Sequence, residues 1–236
     1  GRKERWGYGD GQLELAVGAP RQPKGKHKAS GRVVIYSAQK GVGIRSSRFT
    51  NIHRSQLGGV MSSDEEFGRA MASGDFNGDG YDDLAIASPY AVDAFRKKAG
   101  VVHVIYGGRR GLNTNQRTVL AQSMVPGGTP EDNDQMGLSL VAGDLNGDGK
   151  SDLAVGIPYK DVNGQNNAGA VAIFPGRASG LGEGLRRIIT QESIDSAKSE
   201  AGDHFGWSLA MGDFNNDRFE DLAIGTPHEN SGGKQN

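Results

Sequence analysis

The feature that most constrains this chain is a short acidic motif that returns at a constant interval. Gly74-Asp75-Phe76-Asn77-Gly78-Asp79-Gly80-Tyr81-Asp82-Asp83-Leu84 has a second copy in Gly143-Asp144-Leu145-Asn146-Gly147-Asp148-Gly149-Lys150-Ser151-Asp152-Leu153 and a third in Gly212-Asp213-Phe214-Asn215-Asn216-Asp217-Arg218-Phe219-Glu220-Asp221-Leu222. The leading aspartate steps from 75 to 144 to 213, an interval of 69 residues. Pro20, Pro89, Pro158 and Pro227 keep the same step and reveal a partial copy at the start. A fixed interval marks a repeat architecture, in which each unit buries its apolar faces against its neighbours. The 236 residues therefore read as one array.

Within each unit the apolar residues are spaced for strands. A short strand over Phe67–Ser73 leads into the acidic loop, and the small-residue strand Leu84–Ala87 leaves it. A loop follows Pro89, then the β-branched run Gly100–Tyr106, a Gly-rich turn and a weaker strand around Arg117–Leu120. Val, Ile and Tyr bounded by Gly and Pro are strand signals, and no stretch sustains a 3.6-residue apolar period. Four short antiparallel strands per unit make one blade of an all-β propeller. The expected organisation is an incomplete blade over 1–66, blades over 67–135 and 136–204, and an incomplete blade over 205–236. The first is expected to lack its first strand and the last to stop after its second. An open stack of blades exposes edges that a closed ring removes. The remaining blades are expected from the same longer chain or from another subunit.

Composition excludes several classes. Lys+Arg 27 against Asp+Glu 28 leaves a net charge of −1, which favours neither nucleic acid nor an anionic membrane. No run of eighteen apolar residues is present, so membrane insertion is not expected. The charged start, Gly1 to Trp6, lacks the apolar core of a signal peptide. The absence of cysteine removes disulfides, thiolate metal sites and cysteine nucleophiles.

The acidic loops read as metal sites. Positions one, three, five, seven and nine offer Asp75, Asn77, Asp79, the Tyr81 carbonyl and Asp83 in the first copy. The second offers Asp144, Asn146, Asp148, the Lys150 carbonyl and Asp152, and the third Asp213, Asn215, Asp217, the Phe219 carbonyl and Asp221. Alternate residues of a curled loop can aim oxygens at one centre, and a hard cation taking six to eight oxygens, Ca²⁺, is the natural occupant. An EF-hand would need an acid at position twelve and a helix beyond it. Position twelve here is Ile86, Val155 or Ile224 in a β-like run. The third copy has Asn216 and Arg218 where the others have Gly, which predicts a weaker or altered site. In the partial copy, Asp10, Gly11 and Glu14 fit positions five, six and nine, but Trp6 and Tyr8 stand where ligands should be. That loop is expected to be metal-free.

These residues resemble the FG-GAP repeat family, the blades of the integrin α-subunit propeller and its bacterial relatives. Phe67-Gly68 and Phe205-Gly206 supply the FG, with Met136-Gly137 as a variant. Gly18-Ala19-Pro20 supplies a literal GAP, with Ala87-Ser88-Pro89, Gly156-Ile157-Pro158 and Gly225-Thr226-Pro227 as variants. The resemblance covers nearly the whole chain. It implies a seven-bladed propeller, calcium between strands one and two, and a protein or glycan ligand on the opposite face. Lack of cysteine departs from animal integrins, so a bacterial secreted or surface protein is the better match.

On that opposite face, Arg21, Lys24, Lys26, His27 and Lys28, then Arg96, Lys97 and Lys98, confront the acidic approaches Asp64-Glu65-Glu66, Glu131–Asp134 and Glu200 with Asp203. A solvated mixed-charge rim is the plain reading, and the interleaved acids disfavour nucleic acid. The five histidines are scattered, His103 is expected to be structural, and Trp207 is expected to pack between blades. Catalysis needs a unique constellation in a cleft, whereas these acids repeat. The expected function is a calcium-stabilised, non-catalytic adhesion or recognition scaffold. The alternatives are the accessory propeller of a carbohydrate-active enzyme or phospholipase, or a lectin with pockets between blades.

Overall fold

The computed structural model describes residues 14–58, 62–184, 186–194 and 198–229. Among the described residues, thirteen strands form four separate sheets. β1 (Leu15–Ala19), β2 (Arg32–Gln39) and β3 (Gly43–Ile52) make the first. β4 (Met71–Gly74), β5 (Asp83–Ser88), β6 (Val101–Tyr106) and β7 (Asn113–Ala121) make the second. β8 (Leu140–Gly143), β9 (Asp152–Ile157), β10 (Ala170–Phe174) and β11 (Arg187–Ile189) make the third, and β12 (Ser208–Gly212) with β13 (Asp221–Gly225) the fourth. Each sheet is an up-and-down meander with every pair antiparallel, such as Leu84 opposite Ile105 and Val102 opposite Leu120. Short helical turns at Arg54–Leu57, Gln122–Met124 and Gln191–Ile194 follow the outermost strands.

The apolar residues lie between sheets. Leu84, Ile86 and Ile105 face the first sheet and pack with Val33, Ile35 and Phe67. Their neighbours Ala85, Ala87, Val102 and Val104 face the third and pack with Met136, Leu153 and Val155. A central strand buried on both faces needs no polar alternation, which is why β5, β6 and β9 read as nearly continuous apolar runs, with His103 the interior exception in β6. Small residues on the inner strands let the sheets approach where they converge.

Phe67-Gly68 lies ahead of the first strand, which begins at Met71. Gly68 has φ +87° and leaves the extended region, so the strand expected over Phe67–Ser73 is shorter than its apolar pattern. The dipeptide is instead a coupling pin. Phe67 and Phe205 form parallel bridges to Gly31 and Gly169, immediately ahead of β2 and β10 in the preceding sheets. The Gly68, Gly137 and Gly206 N–H groups donate to Ala87, Gly156 and Gly225 carbonyls in their own sheets. A Cβ on Gly100 would overlap the Met136 backbone, so each joint closes only over glycine.

Candidate metal centres

The three acidic loops join β4 to β5, β8 to β9 and β12 to β13, at the same end of three successive sheets. Their oxygens curl them from within. Asp75 Oδ1 accepts Asp79 N–H at 3.1 Å and Oδ2 accepts Gly80 N–H at 2.9 Å. Asn77 Oδ1 accepts the same Asp79 N–H at 2.9 Å, and Asp79 Oδ1 accepts Tyr81 N–H at 2.9 Å. The second loop repeats this pattern with Asp144, Asn146 and Asp148, and the third with Asp213, Asn215 and Asp217. Side chains that bond backbone two to five residues onward fix the chain in consecutive turns. Oxygens at positions one and three share one N–H, so they lie on the same side of the loop.

Position nine is a strut. Asp83 Oδ2 accepts Phe76 N–H at 2.9 Å and Oδ1 accepts Gly107 N–H at 2.7 Å, tying the loop to the end of β6. Asp152 does the same with Leu145 and Gly176, at 3.1 and 2.8 Å. Burial pushes the Asp83 carboxyl up to about 7, and the charges of Asp79 and Asp75 add to it against its two N–H donors. Asp152 is raised for the same principal reason, burial.

Among the described residues, no three acidic or histidine side chains already surround a common centre. The donor chemistry nevertheless fits a hard cation. Every side chain at positions one, three, five and nine is an oxygen donor, and a carboxylate holding up to three N–H groups, as Asp75 does, retains a further lone pair. Lys150 Nζ lies 3.7 Å from Asp148 Oδ1 and partly offsets charge in the second loop. Positions four and six are left-handed in all three copies, at φ +76° and +88° for Gly78 and Gly80, and +63° and +77° for Asn216 and Arg218. The third loop therefore keeps the same curl despite its substitutions. The loops are also bonded to each other: Ser151 N–H donates to the Asp75 carbonyl at 2.9 Å, and Asp144 N–H to Glu220 Oε2 at 2.6 Å. Of the partial first copy, Trp6, Tyr8, Asp10 and Gly11 lie outside the described residues.

At the other end of the sheets, the loops leading into β2 and β6 are stitched to the approach of the next sheet. Asp64 and Glu66 N–H donate to Lys28 and Ala29 carbonyls, and Asn133 and Gln135 N–H to Lys97 and Lys98. The acids here divide in two. Glu66, itself only 7 % exposed, bonds the solvent-facing Arg21 and Arg69. Glu65, Asp134 and Asp203 instead have 1 %, 1 % and 0 % exposure, which corrects the solvated-rim reading. Each accepts a backbone N–H three residues before it, from Ser62, Glu131 and Glu200. Arg54 and Gln122, the first residues of equivalent helical turns, reach Glu65 and Asp134. The sequence signal was available: three carboxylates two residues ahead of each FG or MG, in step with the repeat.

His103 is buried, accepts the Arg54 Nε–H at 3.2 Å on Nε2, and stands edge-on to Phe67. Burial, then the Arg54 and Arg117 charges, pull it down to about 3, so it is neutral and structural, as expected. Two histidines that the sequence left scattered come together: His204 and His228 have Nδ1 atoms 3.1 Å apart. Tyr159 and Trp207 join them, with ring centroids 4.9 and 5.5 Å from His204. Trp207 touches the third sheet through Tyr159 but remains 43 % exposed, more than packing between blades predicted.

Stacked four-stranded antiparallel meanders, pinned blade to blade and carrying oxygen-lined loops at one end, define a protein built of β-propeller blades. The FG-GAP repeat model matches residues 67–105, 136–174 and 205–236, and the chain belongs to the FG-GAP repeat family. It is 32% identical over 170 residues to phosphatidylinositol-glycan-specific phospholipase D of Bos taurus, covering 71% of this chain and 19% of that protein. It is 29% identical over 221 residues to integrin alpha-7 of Homo sapiens, covering 91% of this chain and 16% of the integrin. The chain thus spans less than a fifth of either relative. Among solved structures, the exotype rhamnogalacturonan lyase YesX aligns with TM-score 0.49 at 13% identity, over 92% of this chain and 37% of its own. Among the described residues, no helix is long and apolar enough to cross a membrane.

Proposed function

We propose that the chain is a calcium-stabilised segment of an extracellular or cell-surface β-propeller, secreted by a bacterium, that acts as a non-catalytic scaffold for adhesion or recognition. The observation that carries this reading is the trio of in-phase oxygen-lined loops, bonded to one another at one end of the sheets. Asp75, Asn77, Asp79, Tyr81 and Asp83, with their counterparts in the other two loops, would hold the ion. Calcium supplies charge neutralisation there and ties each first strand to its second. The chain's own residues do the rest: Asp83 and Asp152 fix the ends of the third strands, and the stitched loops at the opposite end present a surface to a protein or glycan. Blades from the same longer chain or another subunit complete a seven-bladed ring, covering Leu15 and Val17 on one flank and Phe214 on the other, all exposed here.

Thermal melting with calcium and with chelator tests the reading. Calcium at a hundredfold excess over its dissociation constant adds about 2.7 kcal/mol, and about 2–4 °C per kcal/mol in a chain of this size. Identical midpoints in both buffers, or an equal rise with magnesium, would overturn it. Similarity to a phospholipase favours a second reading, an accessory propeller beside a catalytic domain. A catalytic domain in the same reading frame would select it.

A further inference from the structure

One blade junction is filled and its neighbour is not. Between the second and third sheets, the buried ring of Tyr106 reaches across at the end of β6. Its hydroxyl accepts Leu181 N–H at 2.8 Å and lies 3.0 Å from Thr118 Oγ1. One repeat earlier, Tyr106 becomes Ser37 and Leu181 becomes Leu112. Thr118, opposite Val104, corresponds to Thr50, opposite Ile35. Both groups that hold the phenol oxygen are therefore kept at the first junction, while the ring between them is missing. A cleft of about 210 Å³ stands in its place, between the first and second sheets.

The walls of the cleft specify what fits. Its volume is below the roughly 300–1,000 Å³ of drug-sized sites, so it takes one ring-sized group. Ile35, Ile52 and Leu112 give it an aliphatic side, while Thr50, Thr114 and Arg110 place hydroxyls and a guanidinium around it. A phenyl ring wants apolar walls without a polar rim. A pyranose has C–H groups on its faces and hydroxyls around its periphery, and matches this division. We infer that the cleft between the first two blades is a binding site for a single pyranose residue of a glycan. The sugar ring takes the place that Tyr106 fills one blade later, with a hydroxyl between Thr50 and the Leu112 N–H. This deepens the recognition reading by naming a ligand class, but at a different place. The loop after β6 is tied to the metal loop through Gly107 and Asp83, so the equivalent cleft opens between blades toward the calcium end.

Saturation-transfer NMR and calorimetry on the 236-residue chain, with the methyl glycosides of galactose, mannose, fucose and N-acetylglucosamine, test the site. At least one glycoside is expected to bind with a millimolar dissociation constant, in calcium and in chelator alike. Ser37→Tyr rebuilds the Tyr106 arrangement and is expected to abolish binding while leaving the melting midpoint equal or higher. Thr50→Val keeps the cleft open and is expected to weaken binding about tenfold, the worth of one hydrogen bond. It decides the matter should Ser37→Tyr fail to fold. The proposal is overturned if none of the four glycosides binds, if Ser37→Tyr folds and binds as the parent does, if Thr50→Val binds unchanged, or if N-acetyl-tyrosinamide occupies the cleft and glycosides do not. A calcium-independent melt would sink the scaffold reading and leave the glycoside result standing.

Discussion

Replacing Gly80 by alanine isolates the backbone cost of building a metal loop. Gly80 sits at φ +88°, and a Cβ placed there meets no heavy atom within 4 Å. Steric overlap thus contributes nothing, unlike at Gly78, where a Cβ would press on the Lys150 side chain. The left-handed conformation costs an L-residue about 1–2 kcal/mol, and alanine's restricted unfolded chain returns about 0.4–1 kcal/mol. Gly80→Ala should therefore destabilise by about 1 kcal/mol, or about 2–4 °C. The third loop supplies the reverse experiment. Arg218 already holds φ +77° at the same position, with its N–H bonded to Asp213, so Arg218→Gly should stabilise by a similar amount. Urea unfolding followed by circular dichroism, in chelator so that no cation enters, reads both variants at constant m-value. A Gly80→Ala chain as stable as its parent, or an Arg218→Gly chain less stable than its parent, would refute strain as the cause.

Two further predictions concern the joint between the first and second blades. His103 is neutral when folded and faces Arg54, Arg117, the Phe67 ring and, through Arg54, Glu65. Because its folded pKa lies below its unfolded value of 6.5, its contribution is complete above pH 6.5 and is lost as pH falls toward about 3. Between pH 7 and pH 5 the parent should lose about 2 kcal/mol more than His103→Ala in urea titrations; parallel pH profiles would count against this. Arg54 and Glu65 are a buried pair, so Arg54→Leu should cost about 3–5 kcal/mol. The double change Arg54→Gln with Glu65→Asp copies the Gln122–Asp134 pair of the next blade and should recover more than half of that, as read by thermal melting.

What was legible in the sequence was whatever the repeat made local. The oxygens at loop positions one, three and five act on backbone two to five residues away, so their spacing alone implied the curl and the strand exit that follow. The β-branched runs gave the inner and third strands for the same reason. The FG dipeptide was recognisable, but its mechanics were not, because Phe67 bonds a glycine 36 residues back and only Gly68 serves its own sheet. Glu65, Asp134 and Asp203 looked like solvated acids because burial is decided by the loop of the preceding blade closing over them. The pairing of His204 with His228 depends on two loops meeting across 24 residues, with no periodic counterpart to announce it. The empty cleft at Ser37 became visible only by comparison with the filled one at Tyr106.

The glycine that receives each pin belongs to one unit and the pin to the next, so every seam is shared between consecutive stretches of sequence. Tandem duplication or deletion of whole 69-residue lengths therefore regenerates mated seams without any compensating change. A break at any other length would set a side-chain-bearing residue against the pin and leave a carbonyl unanswered. This rule of assembly lets such arrays grow by copying while each loop remains free to diverge.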